Sequence, residues 1–372
     1  MEKIDDMDNV TCDTVTDIDY VTLLGSSTPL SIVGSTKNPL PGIAYHHRLI
    51  VATCCCFITV LGLFGNSLVV VAVIVSKKLQ TTTNILVTNL TVADLFTCLN
   101  LPFMVVGLID QGDEYPLPEI ICSIVAGFNL LCLGVSVMTL AAIAFIRWYV
   151  ISKSIRGHRG LHTPRKIGMI ILGIWALNIT VVSLPLSLGI GEIGYSRYYS
   201  LCTVTDTNPL RFYFVLLQAG VIVVALVITV IFYLLIMIHV MRQTHQFRKK
   251  FADDNGSAGP KVPSSKAQAN SRAMQTAFLK REYEITKNLF VVVCIFAICL
   301  IPSLVNFMIP GSSVLTLYGA MILASNSSIN PIIYALKHPN FQEAFKTVFR
   351  CRKADAVSSN SSKTRSTGST NL

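Results

Sequence analysis

Long apolar runs alternate with short polar intervals along this chain. Seven runs stand out, at roughly 49–75, 84–108, 120–150, 166–190, 212–240, 286–309 and 314–336. A bilayer's hydrocarbon core, about 30 Å thick, is crossed by a helix of about 20 apolar residues. The pattern therefore predicts an all-α fold, a seven-transmembrane helix bundle. The third run shows the signal most cleanly: no Asp, Glu, Lys, Arg or His occurs from Ile120 to Ile146, and Arg147 follows at once. The seventh run is the most polar, with Ser325, Asn326, Ser327, Ser328 and Asn330. Such a face must look into protein or water.

The flanks complete the domain plan: an N-terminal tail over 1–47, the bundle over 48–337, a short amphipathic helix over 338–351 and a tail over 352–372. In "KHPNFQEAFKTVF", Phe341, Phe345 and Phe349 recur at helical spacing with Lys337 and Lys346 nearby. That spacing predicts a helix lying on a membrane surface. The Ser/Thr-rich end is expected to be disordered, and the Gly/Pro/Ser-rich loop within 242–283 to be mobile. The start, "MEKIDDMDNV", lacks the apolar core of a cleavable signal. The first apolar run is then expected to direct insertion itself.

Composition agrees with a membrane domain. Of 372 residues, 52% are hydrophobic and only 13% charged, against about 25% charged in soluble domains. The net charge of +10 does not indicate nucleic acid, because the basic residues are scattered and no binding motif interleaves them. Their distribution instead sets orientation. Lys and Arg gather in alternate intervals: Lys77 and Lys78; Lys153, Arg156, Arg159, Arg165 and Lys166; then nine between Arg242 and Arg281. The N-terminal tail has seven acids before residue 20, and Asp110, Asp113, Glu114 and Glu119 mark the second interval. Basic intervals stay cytoplasmic, so the N-terminus is expected outside, the C-terminus inside, and Arg147 at the cytoplasmic end of the third span.

Several positions carry candidate chemistry. Asp94, in "NLTVADL", is the acid deepest within any span. A charge there needs partners, and Ser136, Asn326, Ser327 and Asn330 are available. Their oxygens could hold a small cation such as sodium; a hydrogen-bonded polar knot fits equally well. Pro102, Pro185, Pro302 and Pro331 can each kink a helix. Cys122 and Cys202 both fall on the outer side, where a disulfide persists; two free thiols are the alternative. Cys12 has no evident partner. Asn9 in "NVT" is an outer-side glycosylation sequon, while Asn178 in "NIT" lies within a span. Cys351 in "FRCRK" suits palmitoylation.

Taken in order, "GNSLV" with Asn66, "LTVADL" with Asp94, Cys122, "AIAFIRW" with Arg147, Trp175, Cys202, Tyr233, "FAICLIP" with Pro302, "NPIIY" and Phe341 resemble the rhodopsin-like (class A) G-protein-coupled receptors over residues 45 to 351. The resemblance implies a plasma-membrane receptor that converts an extracellular ligand into G-protein activation. It implies that Arg147 rests against Glu282 in the sixth span when inactive. Outward movement of that span would then open a cleft for a heterotrimeric G protein, with Tyr233, Tyr334, Asn330 and Pro331 taking part. Such an element is a two-state equilibrium biased by ligand. The resemblance also implies arrestin and receptor kinases as partners of the Ser/Thr cluster from Ser358 to Thr370, besides membrane lipids. No cofactor is implied beyond the sodium candidate.

Departures from the family pattern sharpen the reading. The acid usual before the arginine is Ile146 here, and Trp148 follows it. Leu300 replaces the usual tryptophan of the sixth span, and Ala225 stands near the usual fifth-span proline. Loss of one carboxylate restraint suggests raised basal activity, or an atypical, non-signalling receptor. Asn129 replaces the aspartate of amine receptors, and the seventh span has no lysine for a retinal Schiff base. The expected pocket wall of Phe128, Asn129, Leu133, Gln218, Ser303, Phe307 and Tyr318 suits a neutral or apolar small molecule. "FAICLIPSLVNF" and "YYSLCTV" resemble the melatonin-type branch. Transport is disfavoured by the absence of repeats and broken helices, and enzymatic function by the absence of HExxH, GxSxG or a nucleotide loop.

Overall fold

The apolar runs become helices in the computed structural model, which describes residues 43–112, 114–153, 163–256 and 313–349, with 284, 286–288, 290–303 and 305. All lie in one unit, Leu40–Leu372. Among the described residues the order is α1 (Tyr45–Val75), a 3-10 turn (Lys77–Leu79), α2 (Thr82–Ile109), α3 (Glu119–Lys153), α4 (Pro164–Ser187), β1 (Ile193–Ser196), β2 (Leu201–Val204) and α5 (Arg211–Gly256). Then follow α6 (Thr286–Ser303), α7 (Ser313–Lys337) and α8 (339–349).

Local chemistry sets several boundaries. Thr81 caps α2, its hydroxyl accepting from Asn84 N at 3.4 Å. Pro164 stands in the first turn of α4, where no N–H is needed. Helix α5 runs 46 residues to Gly256, well past the boundary expected at 240. The segment "MRQTHQFRKKF" is rich in helix formers, and Gln243 Nε2 bonds His239 Nε2 at 2.8 Å one turn back. Part of the loop expected to be mobile is therefore helix; the remainder, 257–283, lies outside the described residues.

Six described helices are long and apolar enough to cross a membrane; α7 is the polar seventh. Its Asn326, Ser327, Ser328 and Asn330 are all buried, which is how the bundle tolerates them. Helix α3 sits centrally, packed on α2, α4 and α5, while α1 packs on α2 and α7. Lipid is as apolar as leucine, so close backbone approach matters more here than hydrophobic burial. Gly65 shows this: a Cβ built there would lie 2.8 Å from Pro331 Cβ. Likewise, a Cβ on Gly134 would collide with Asn178 Oδ1. Asn178 is itself buried and donates to Ile174 O at 2.8 Å.

The short hairpin β1–β2 is an addition to the expected all-helical plan. Its strands are antiparallel, with Tyr195 opposite Cys202, and Cys202 is disulfide-bonded to Cys122 at the start of α3. Ser123 Oγ donates to Ile193 O at 3.0 Å, and Tyr195 OH to Gly107 O at 3.2 Å. The hairpin is thus pinned across one end of the bundle. Helix α8 lies at the opposite end. Phe341 and Phe345, expected on a membrane surface, are buried in the bundle's core; only Phe349 is exposed. Phe341 stacks on Tyr334 with ring centroids 5.3 Å apart, so aromatic packing against α7 removes that face from lipid.

Candidate functional site

Two linked regions carry the chemistry. Beneath the hairpin lies a cavity of about 200 Å³. Leu201, Cys202 and Thr203 roof it, and Asp94, Ser136, Asn326 and Ser327 form its floor. Between them the wall is mainly apolar, including Leu101, Leu130, Leu133 and Met321, with Asn129, Thr97 and Thr316 as polar points. Asn129 Oδ1 accepts from Asn100 Nδ2 at 3.3 Å. Asn129 lines the cavity, which puts an amide within reach of a ligand held there.

The cavity leans toward α1, α2 and α7, with Val51 and Cys55 of α1 in its wall. Of the expected pocket residues it takes in Asn129 and Leu133 and excludes four others. Phe128 packs edge-on against Phe96, centroids 5.7 Å apart, and is 37% exposed. Gln218 donates to Val181 O on α4 at 3.2 Å. Ser303 packs against Gly319. Tyr318 OH bonds His47 Nδ1 at 3.0 Å near the start of α1. Phe307 lies outside the described residues.

At the floor, Asn330 Nδ2 donates to Asp94 Oδ2 at 2.8 Å, and the Ser327 hydroxyl also bonds the carboxylate. Asn66 Nδ2 bridges to Ser327 O at 2.8 Å, tying α1 to α7. Three amide oxygens here, Asn66 Oδ1, Asn326 Oδ1 and Asn330 Oδ1, are buried without a hydrogen-bond donor. Lone-pair oxygens around one carboxylate suit a small hard cation. Asp94, Ser136, Asn326 and Asn330 therefore fit the expected sodium set. No cluster of three His, Cys, Asp or Glu side chains occurs among the described residues. Asn89, missed in the sequence, links three helices: its Nδ2 donates to Thr139 Oγ1 and its Oδ1 accepts from Trp175 Nε1, both at 2.9 Å.

Toward α8 lies the second region. Arg147 is half-buried near the end of α3 and is an electrostatic neighbour of Tyr233. Tyr233 is buried, its ring 5.7 Å from that of Phe290 on α6, and it is an electrostatic neighbour of Tyr334. Arg147, Tyr233 and Tyr334 thus lie in one region. Pro331 is buried against α1. Ile146 is 1% exposed and Leu300 3%, both in the core cluster that holds Tyr233 and Tyr334. Both departures thus place apolar side chains inside the core. Glu282, Asn9 and Cys351 lie outside the described residues.

Comparison with known proteins agrees with this geometry. Residues 65–334 match the family "7 transmembrane receptor (rhodopsin family)". The chain is 27% identical over 316 residues to "Rhodopsin, GQ-coupled" of Mizuhopecten yessoensis, covering 82% of this chain and 60% of that protein. It is 26% identical to the "Allatostatin-A receptor" of Bombyx mori, covering 79% and 78%. It is also 26% identical to "Somatostatin receptor type 2" of Mus musculus, covering 78% and 74%. The crystal structure of squid rhodopsin superposes with a TM-score of 0.70 at 18% identity, covering 87% of this chain and 91% of that one; this likeness concerns fold alone. The melatonin-type branch gains no support from these relatives. From these matches and the geometry together, the chain belongs to the rhodopsin family of seven-transmembrane receptors, a family of receptors rather than enzymes.

Proposed function

We propose that this chain is a plasma-membrane receptor, N-terminus outside, that couples an extracellular ligand to heterotrimeric G proteins. The ligand is largely apolar and occupies the cavity beneath the hairpin, its acceptor meeting the Asn129 amide. Arg147 is the transmission residue. It is restrained by Glu282 on the chain beyond α5 and released as α6 moves outward, with Tyr233, Tyr334, Asn330 and Pro331 carrying the change. A sodium ion at Asp94, Ser136, Asn326 and Asn330 favours the resting arrangement. Arrestin and receptor kinases act on the C-terminal Ser/Thr cluster, Asn9 carries a glycan and Cys351 a palmitoyl chain.

The observation that carries this reading is the stacking of parts along α3. Asn129 and Leu133 of α3 line the cavity, Ser136 of α3 reaches its floor, and Arg147, further along the same helix, stands half-buried near Tyr233. The rhodopsin among the relatives does not make this chain a retinal protein, because α7 carries no lysine before Lys337 at its inner end. A screen of apolar compounds against several Gα readouts tests the proposal. Hits should lose potency in Asn129→Ala and keep it in Phe128→Ala. The reverse order would place the ligand elsewhere.

A further inference from the structure

A cation stands beside the cavity's roof, at a position that no sequence motif marks: Arg48 and Ser200 do not line the cavity themselves, but Leu201 and Val51, next to them along the chain, do. Arg48, in the first turn of α1, reaches across the bundle end: its Nη1 donates to Ser200 Oγ at 3.1 Å. Its guanidinium carbon lies 5.5 Å from the centroid of the Tyr45 ring, and its Nε is buried with no hydrogen-bond partner. No carboxylate among the described residues neutralises it. Asp110 shares the surroundings of Tyr195 with Arg48 but accepts from Gly112 N at 2.8 Å. An arginine that the described residues leave without a carboxylate is costly to turn into protein. An arginine serving only as a lipid-interface anchor would point its head outward instead.

The placement of that head is specific. Ser200 closes the β1–β2 turn with a backbone φ of +53° at 3% exposure, an uncommon left-handed conformation for a residue other than glycine. The next residue, Leu201, roofs the cavity, and Val51, one helical turn below Arg48, lines it. Along α3 the wall from Ala126 to Leu133 descends about 10 Å at 1.5 Å per residue, and its flanks are mostly apolar.

We propose that the cavity's ligand is an amphiphilic carboxylate, its head held by Arg48 and Ser200 and its hydrocarbon tail lying between Leu201 and Leu133. A planar guanidinium with free N–H groups recognises a carboxylate bidentately, and the apolar shaft below takes the tail. The inference rests on the cavity being the ligand site.

Thermal unfolding of the full chain in zwitterionic phosphatidylcholine nanodiscs tests it, with decanoate as probe and methyl decanoate and decylammonium as controls. Decanoate should raise the unfolding temperature in a saturable manner, and the two controls should not. Arg48→Gln should weaken decanoate at least about tenfold, as expected for losing a charge-assisted hydrogen bond. Arg48→Lys should restore part of that loss, and Leu133→Trp should abolish binding by filling the shaft. Equal shifts with the methyl ester, or an unchanged decanoate affinity in Arg48→Gln, would overturn the proposal. A third arm replaces the seven acids before residue 20 by amides. A decanoate response that emerges only in that variant would overturn it too, by showing that the chain's own tail holds Arg48. Because the shift is read without G protein, absent signalling with intact decanoate binding counts against the coupling reading alone.

Discussion

Asn330 on α7 donates to the Asp94 carboxylate on α2 at 2.8 Å, closing the cavity floor across 236 residues of chain. The bond leaves Asn330 Oδ1 buried and without a donor, as is Asn326 Oδ1. Two helices that meet through one carboxylate and several idle oxygens form a joint whose stability depends on what neutralises the charge. A cation bound there stabilises whichever arrangement gathers the oxygens. Replacing choline chloride by sodium chloride should raise the unfolding temperature of the wild type and lower ligand-free G-protein activation. Asp94→Asn should respond to neither. An identical salt response in both proteins would remove the cation from the site.

Ile146 stands where the family places an acid, and it is buried in the core beside Arg147. Restoring a carboxylate there adds a restraint on the guanidinium worth roughly 1 kcal/mol, or about fivefold in the active fraction. Ile146→Asp should therefore lower basal output when normalised to surface expression. Some loss of thermal stability should accompany it, because an apolar core position receives a charge. Unchanged basal output would contradict the role given to this departure.

Gly65 and Gly220 form a matched pair. A Cβ at Gly65 meets the rigid Pro331 ring, 2.8 Å from Cβ and 3.0 Å from Cγ, whereas at Gly220 nothing lies within 4 Å. Gly65→Ala should cost about 1–3 kcal/mol through forced separation of α1 and α7. Gly220→Ala should be neutral or stabilising by up to about 1 kcal/mol. Thermal unfolding of both variants in the same detergent checks the contrast.

The Cys122–Cys202 disulfide ties the hairpin over the cavity, bridging positions 80 apart in sequence. Its loss should cost about 2–5 kcal/mol and leave the roof strand β2 free of α3. The double variant Cys122→Ser, Cys202→Ser should show lower surface expression and weaker binding of any cavity ligand. Full ligand affinity in that variant would mean that the roof does not shape the site.

The spans were legible because the bilayer imposes a length and a polarity that few other environments demand. Even α7 could be recognised, since its polar residues had to be buried somewhere. Helix rotation was less legible. Helices as apolar as α3 and α5 give little sign of which face turns inward, so Phe128 and Gln218 were expected in the pocket and instead meet Phe96 and α4. Arg147, Tyr233 and Tyr334, which fixed motifs mark in the sequence, lie in one region of the structure. Arg48 and Ser200 were not legible, because their bond joins positions 152 apart that carry no motif. The burial of Phe341 and Phe345 was likewise hidden, since amphipathic spacing does not say whether lipid or protein receives the apolar face.

The most direct measurement is ligand-independent G-protein activation in cells, read across several Gα classes for the wild type and Arg147→Ala at matched surface levels. The wild type should activate at least one class above background, and the alanine variant should fall to background. Equal activation by both proteins would mean that Arg147 is a membrane-interface anchor and that the signalling route described here is wrong.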